Sequence, residues 1–319
     1  MPRRATLGLL AVLLLLLAAS NASFLAPWRG RARFIAHRGV HQTFSPVGVQ
    51  NDTCTASRAD PIEHTLLENT LPSMQAAFEA GAEAVELDVH ASLDGHLVVL
   101  HDASLECRTD GHGAPEQRTL AELRGLDLGY GYTADGGQSF PLRGRGVGLL
   151  VTLPEVYARF PGRRFVVDIK ADRAEDGDRV ADVLAALPDE DRPRQFVYGG
   201  PAAVARVRAR LPEVMTFDRA RIKRCALGYV AAGWLGWMPE ACAHTLILVP
   251  AGYAHMLWGF PRRLEARLEA VGSELALMGP LVDGVTTGVD DARTLADVPE
   301  DYGGFIWTNR IEGLRPAAR

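Results

Sequence analysis

Four short apolar runs in this chain each end in side chains that can hold or move charge. "FIAHRGVHQ" delivers His37 and Arg38, "VELDVHAS" carries Glu86 and Asp88, "LVVLHD" ends in His101, and "FVVDIK" ends in Asp168 and Lys170. Side chains alternate across a strand, so Glu86, Asp88 and His90 share one face while Val85, Leu87 and Val89 share the other. Two carboxylates on one buried face repel each other and lose hydration, a cost that a cation removes. A hard divalent ion with oxygen ligands suits them, and Asp168 supplies a third carboxylate. Paired imidazoles can exchange protons as general acid and base, while Arg38, Lys170 and the metal offset phosphate charge. The set reads as a phosphoester site. The competing reading is a group of structural ion pairs, but so many charges at one end of a fold add little stability.

These groups need a scaffold that gathers strand ends. Candidate strands are Phe34–His37, Ala84–Val89, Leu97–His101, Phe165–Ile169, Gln195–Tyr198, Val214–Phe217, Leu246–Val249, Glu274–Met278 and Phe305–Thr308. Helical patterns fall at Pro72–Ala80, Thr119–Leu123, Leu153–Phe160, Arg179–Leu187, Ala202–Leu211 and Pro261–Val271. The alternation predicts an α/β fold with a parallel sheet, foremost a (β/α)8 TIM barrel, with a doubly wound open sheet as runner-up. Nine strands are one too many for that barrel, and Val214–Phe217 is the weakest of them. An insertion loop, Val40 to Leu67, follows the first strand, and Gly129 to Gly148 reads as a Gly-rich surface segment.

Of 319 residues, 47% are hydrophobic and 23% charged, as in ordinary globular proteins. The net charge of -5 offers no electrostatic footprint for nucleic acid. Arg3 and Arg4 precede an apolar run from Leu7 to Ala19, which suits a signal-peptide h-region better than a full membrane span. Residues 1–28 therefore read as a signal peptide or an N-terminal membrane anchor, and 29–319 as the barrel domain. Either form places the body outside the cytoplasm, secreted, periplasmic or membrane-anchored. Four cysteines, Cys54, Cys107, Cys225 and Cys242, fit an oxidising compartment and show no C-x-x-C spacing. Three pairings are open, and proximity in sequence favours Cys225–Cys242. Asn21 and Asn51 begin N-x-S/T sequons, relevant only in a eukaryote.

The strings "AHRG", "ENTLPSMQAAFEAGAEAVELDVHASLDGHLVVLHD" and "LECRTDGHG" resemble the glycerophosphodiester phosphodiesterase family. The resemblance covers most of Phe34 to Lys170 and thins afterwards, returning weakly at "VTTGVDD" and "FIWTNRIEGLRP". It implies a (β/α)8 barrel that hydrolyses glycerophosphodiesters to sn-glycerol 3-phosphate and an alcohol with Ca2+ or Mg2+. By matching motifs, His37 and His101 become the acid/base pair, and Glu86 and Asp88 bind metal. Arg38 and Lys170 then contact phosphate. The family uses the substrate's neighbouring glycerol hydroxyl as first nucleophile, so no protein nucleophile is needed.

Two departures stand out. Asp168 replaces the family's usual glutamate as third metal ligand, and the loop from Val40 to Leu67 is longer than usual. That loop holds Cys54, and the loop after the third strand holds Cys107. Both lie on one barrel face, which favours Cys54–Cys107 as a clamp on the lid. Glu68 of "ENT" reads as supporting the site, although a helix N-terminal turn explains it equally well. His41 and His90 read as bystanders, with His41 in the lid, and Trp307 as core. Two other functions stay open: a lysophospholipase D or sphingomyelinase-D-like activity on lipid substrates, and an inactive phospholipid-headgroup-binding barrel. The expected partners are a small glycerophosphodiester and, through the N-terminal segment, a membrane. Nothing in the sequence fixes an oligomeric state.

Overall fold

The computed structural model describes residues 2–50 and 53–314, so the sequon at Asn51 lies outside the described residues. Eight parallel strands form the barrel: β1 (Arg33–Ala36), β2 (Ala84–Ala91), β4 (Arg164–Ile169), β5 (Phe196–Gly199), β6 (Met215–Phe217), β7 (Leu246–Pro250), β8 (Glu274–Met278) and β11 (Phe305–Thr308). They run in the order β6-β5-β4-β2-β1-β11-β8-β7, while β9 (Leu281–Val282) and β10 (Val285–Thr286) pair with each other in a separate antiparallel hairpin. The seam between β6 and β7 carries a backbone bond, Thr216 N–H to the His244 carbonyl at 3.2 Å, so the barrel nearly closes.

The surplus strand is the one at Leu97, not the one at Val214. β3 (Leu97–Val99) pairs antiparallel with β2, Val89 opposite Val99, and stands off the barrel path. Only Ser92 to His96 separate the two, too short for a parallel crossover but ample for a hairpin turn. Val214 instead leads into a barrel strand, because helix α6 (Pro201–Arg210) supplies the crossover from β5.

Alternation sorts the barrel strands as expected. Ile35, Ala84, Val166, Phe196 and Phe305 fill the interior, while Val85, Leu87, Val89, Phe165 and Val167 pack outward beneath the helices. The bottom is closed by charge: Arg33 donates to Glu274 at 2.6 Å and Arg164 to Glu274 at 2.5 Å, with Glu83 shared between the two arginines. Helix α2 (Leu71–Glu79) starts at Thr70, whose hydroxyl accepts from Ser73 N–H, with Pro72 in its first turn.

A second core, including Ala56, Leu67, Val98, Leu105, Tyr132 and Leu142, caps the barrel. The segment from Gly129 to Gly148 belongs to it and is more than surface. A side chain at Gly129, Gly131 or Gly146 would collide with neighbouring backbone within 2.4 Å, so glycine lets these strands of chain touch. Disulfides join Cys54 to Cys107 across this cap and Cys225 to Cys242 on the barrel flank, with Cα–Cα distances of 5.3 and 4.9 Å.

Helix α1 (Pro2–Asn21) spans much of the N-terminal segment. Its end is fastened to the barrel: Arg267 donates to the Ser20 carbonyl at 2.9 Å, and Asn21 Nδ2 to the Trp234 carbonyl at 2.7 Å. Among the described residues, no helix is long and apolar enough to cross a membrane.

Candidate active site

The C-terminal ends of β1, β2 and β4 and the loop after β3 bring the predicted residues together. Glu86, Asp88 and Asp168 each turn one carboxylate oxygen into a common space, all within 4.8 Å of one another. The shorter Asp168 therefore still reaches the cluster. Lys170 Nζ donates to Asp88 Oδ1 at 3.2 Å and to Asp168 Oδ2 at 3.0 Å. Arg38 sets its Nε 3.1 Å from Asp88 Oδ2 and donates from Nη1 to Glu68 Oε1 at 3.2 Å. Its own backbone N–H donates to Glu86 Oε2 at 3.2 Å.

This backbone is strained where it matters. Arg38 and Asn69 both adopt left-handed φ, +56° and +59°, and Asn69 N–H bonds the Arg38 carbonyl. Asn69 then donates from Nδ2 to Asp88 Oδ2 at 2.8 Å. Between them sits Gly39, whose missing side chain serves packing rather than ligand access: a Cβ there would lie 2.7 Å from the Ser73 backbone. Glu68 also accepts from Arg108 at 3.0 Å, and Arg108 holds Asp102 in a short charged contact.

The two histidines are prepared alike. Asn309 Nδ2 donates to Asp290 Oδ2 at 2.8 Å, which fixes the amide so that Oδ1 faces His37. His37 Nδ1 lies 2.6 Å from that oxygen and must be the protonated nitrogen, leaving Nε2 free, 3.7 Å from Glu86 Oε2. Asp102 Oδ1 accepts from His101 Nδ1 at 2.8 Å and leaves its Nε2 free as well. The imidazoles are partly open, 21% and 24% exposed, above carboxylates that are almost fully buried. Asp88 lies close enough to both that either imidazole, once protonated, would favour its ionised form.

Electrostatics separates the carboxylates. Burial and the neighbouring Asp88 raise Glu86 well above the usual range. Burial likewise pushes Asp168 up to about 6 against the pull of Lys170. Burial opposes ionisation of Asp88, but Lys170 and Arg38 outweigh it and hold that group well below the carboxylate norm. Burial and Arg38 lower both imidazoles, His37 strongly, so both rest neutral near pH 7. Carboxylates kept this far from water favour a proton or a cation. Three converging oxygens from carboxylates suit a hard divalent ion, with Tyr198, which donates to Glu86 Oε1 at 2.7 Å, and Asn69 as outer support.

His41 is buried beside His37, ring centroids 5.9 Å apart, and its Nδ1 bonds the Gln42 carbonyl. Trp307 packs under His37 at 5.5 Å and is 5% exposed, a core residue that also floors the site. His90 reaches the His101 carbonyl and Glu116 instead of the carboxylates. Sequence reading passed over Asn309, Asp102, Arg108 and Tyr198. Asn309 was findable, because it follows the last barrel strand as His37 follows the first. A cavity of about 540 Å³ lies at the other end of the barrel between Arg33, Glu265 and Glu274, and holds none of these groups.

Fold and site together define a (β/α)8 barrel protein with an acid, imidazole and guanidinium cluster at the C-terminal mouth. Residues 37–187 match the Glycerophosphoryl diester phosphodiesterase family. A glycerophosphodiester phosphodiesterase of Caldanaerobacter subterraneus is 36% identical over 104 residues, 32% of this chain and 39% of the relative. One from Bacillus subtilis is 34% identical over 159 residues, 49% of this chain and 45% of the relative. The matched segments thus span less than half of either relative. An Oleispira antarctica phosphodiesterase, solved with sn-glycerol-3-phosphate, superposes with a TM-score of 0.55 at 19% identity, covering 88% of this chain and 93% of that one. At that identity the likeness speaks for the fold.

Proposed function

We propose that the protein hydrolyses glycerophosphodiesters to sn-glycerol 3-phosphate and an alcohol. The observation that carries this reading is the pair of imidazoles, each with Nδ1 anchored on a protein acceptor and Nε2 left free beside one carboxylate cluster. The relatives' names support the substrate class. Glu86, Asp88 and Asp168 would hold Ca2+ or Mg2+, which supplies positive charge to the phosphate's non-bridging oxygens.

His37 is the base in this scheme, because a neutral amide holds it and burial resists its protonation. It takes the proton of the attacking substrate hydroxyl at Nε2. His101 is the acid: its Asp102 partner stabilises an imidazolium, and the arriving phosphodiester anion favours that form further. It gives a proton to the leaving alcohol, and water then opens the resulting cyclic phosphate to sn-glycerol 3-phosphate, with the two histidines exchanging roles. Arg38 and Lys170, drawn toward Asp88 here, are the cations nearest to phosphate. Two disulfides and the apolar N-terminal segment support a site of action outside the cytoplasm.

The test is turnover of several glycerophosphodiesters with and without each divalent ion. His37→Ala and His101→Ala are each expected to abolish turnover while leaving the folded circular-dichroism signature unchanged. Faster turnover of lysophosphatidylcholine than of glycerophosphocholine would move the substrate to lipids still carrying a chain. Headgroup binding without hydrolysis under any metal would make the barrel a binding module.

A further inference from the structure

The barrel flank opposite the catalytic chemistry presents an apolar face unusual for a protein of this charge. Helix α7 (Arg219–Ala232) continues into a short turn at Gly233–Leu235. Leu227, Val230 and Trp234 follow one another at helical spacing on its outer side, and Leu235, Trp237 and Trp258 extend the same face. All six are more than a third exposed, from 38% at Trp234 to 61% at Leu227. A patch with three tryptophans at its centre is not ordinary scattered surface apolarity.

The patch is continuous and rigid. Trp258 donates its indole N–H to the Val230 carbonyl at 2.9 Å, and Tyr229 donates to the Trp258 carbonyl at 2.6 Å. Trp234 donates its indole N–H to the Ala231 carbonyl at 3.1 Å. Two of the three indoles therefore have their polar atom satisfied by the protein and can leave water without a lost hydrogen bond. The Cys225–Cys242 disulfide staples α7 to the barrel below.

Two features say what covers this face. The end of α1 is bolted onto it: Asn21 donates to the Trp234 carbonyl, and Arg267 donates both to Asn21 Oδ1 and to the Gly233 carbonyl. The exposed leucines of α1, from Leu7 to Leu16, precede this fastened end in the same helix. Second, α7 contains no acidic residue, and Arg219, Lys223 and Arg224 lie exposed toward its start. In a chain of net charge -5, this basic end beside an apolar, Trp-rich end matches an anionic headgroup layer above hydrocarbon.

We propose that this flank docks on a phospholipid bilayer, with the tryptophans at headgroup depth and the basic end of α7 against anionic lipid. Docking is then a property of the folded barrel, additional to anything the N-terminal helix contributes. Helix α8 (Ala251–Ala254) follows directly on the C-terminal end of β7, so exposed Tyr253 and Met256 carry the apolar face toward the rim of the mouth.

The full chain would be bound to vesicles of phosphatidylcholine and phosphatidylglycerol, with Trp28→Phe as background. Three of the four tryptophans then left lie in the patch, and the fourth, Trp307, is buried. Replacing the phosphatidylcholine with its dibrominated form should quench emission by about half, because bromine reaches only rings within the acyl and headgroup boundary. Adding Leu227→Lys and Leu235→Lys, both at exposed positions, should remove most of that quench without changing the thermal melt. A chain that co-floats with the vesicles but whose emission ignores the bromine overturns the proposal. So does concentration-dependent dimerisation with bromine-insensitive emission, which would assign the face to a second copy of the chain.

Discussion

Replacing Asn309 with alanine tests the whole assignment of proton roles. The amide is held by Asp290 and accepts from His37 Nδ1 at 2.6 Å, so its loss strips a buried donor of its partner and unlocks the ring's tautomer. Leaving such a donor unsatisfied costs about 1–3 kcal/mol. If that cost falls on the transition state, kcat drops about 5- to 150-fold, since 1.36 kcal/mol is tenfold in rate. The fold should survive, because Asn309 lies beyond the end of β11. The pH profile separates this role from a structural one. Burial lowers the His37 pKa, whereas the Asn309 bond raises it. Removing the bond therefore lowers it further, and the acidic limb of kcat/KM, set by protonation of the free enzyme's base, must move to lower pH. The assay is glycerophosphocholine turnover across pH, with urea denaturation as control. A variant within twofold of the parent kcat, or an acidic limb displaced upward, refutes His37 as the positioned base.

Other perturbations test the supports of the site. Cys54→Ser with Cys107→Ser opens a loop of separation 53 and should cost about 4 kcal/mol in chemical denaturation, against about 3 kcal/mol for the Cys225–Cys242 pair at separation 17. The reverse order would contradict the loop-entropy account. Arg108→Met leaves Glu68 and Asp102 facing each other as buried charges without their shared partner, and urea unfolding should show a loss of about 3–5 kcal/mol. At the barrel bottom, burial opposes ionisation of Glu274, but Arg164 and Arg33 hold its folded pKa below the ordinary 4.5. The stability it contributes is therefore complete above that value and is lost as pH falls through the folded pKa, so Glu274→Gln should flatten the stability–pH curve only below about 4.5.

Much of this architecture is legible in the chain because the strand period is two. "VELDVHAS" sorts its acids from its valines with no further information, and the structure places Glu86 and Asp88 inward and Val85, Leu87 and Val89 outward accordingly. The misplaced element, Leu97–His101, has the composition of a barrel strand but not the connection of one. Asp94-Gly95 marks a hairpin, and hairpins join antiparallel strands, so the spacing after Ala91 already disqualified it. Helix α7 escaped because its apolar positions face outward, so its pattern carries no clean buried stripe. The contacts joining Glu68, Asp102 and Arg108 link separate loops, and no local period reports a pairing of that kind.

The charge balance explains why these groups tolerate one another. Glu68, Glu86, Asp88, Asp102 and Asp168 stand against Arg38, Arg108 and Lys170, and the two histidines are neutral. Five acids against three cations leave two negative charges, and the deficit is local. Glu68 and Asp102 share Arg108, whereas Glu86 has only a tyrosine hydroxyl, a backbone N–H and a distant imidazole. The uncompensated charge thus falls on Glu86 and, because Asp168 must share Lys170 with Asp88, in part on Asp168, the two carboxyls whose pKa values burial raises. Either a proton or a cation can settle there, and the two compete for the same oxygens. If the proposed divalent ion binds here, its affinity should therefore weaken as pH falls through about 6, where Asp168 takes up a proton, and metal titrations that show no such pH dependence would count against the site. Arg38 and Lys170 touch Asp88 and not Glu86, so in the proposed scheme a cation held by these acids would loosen their grip on the two side chains proposed to meet the phosphate.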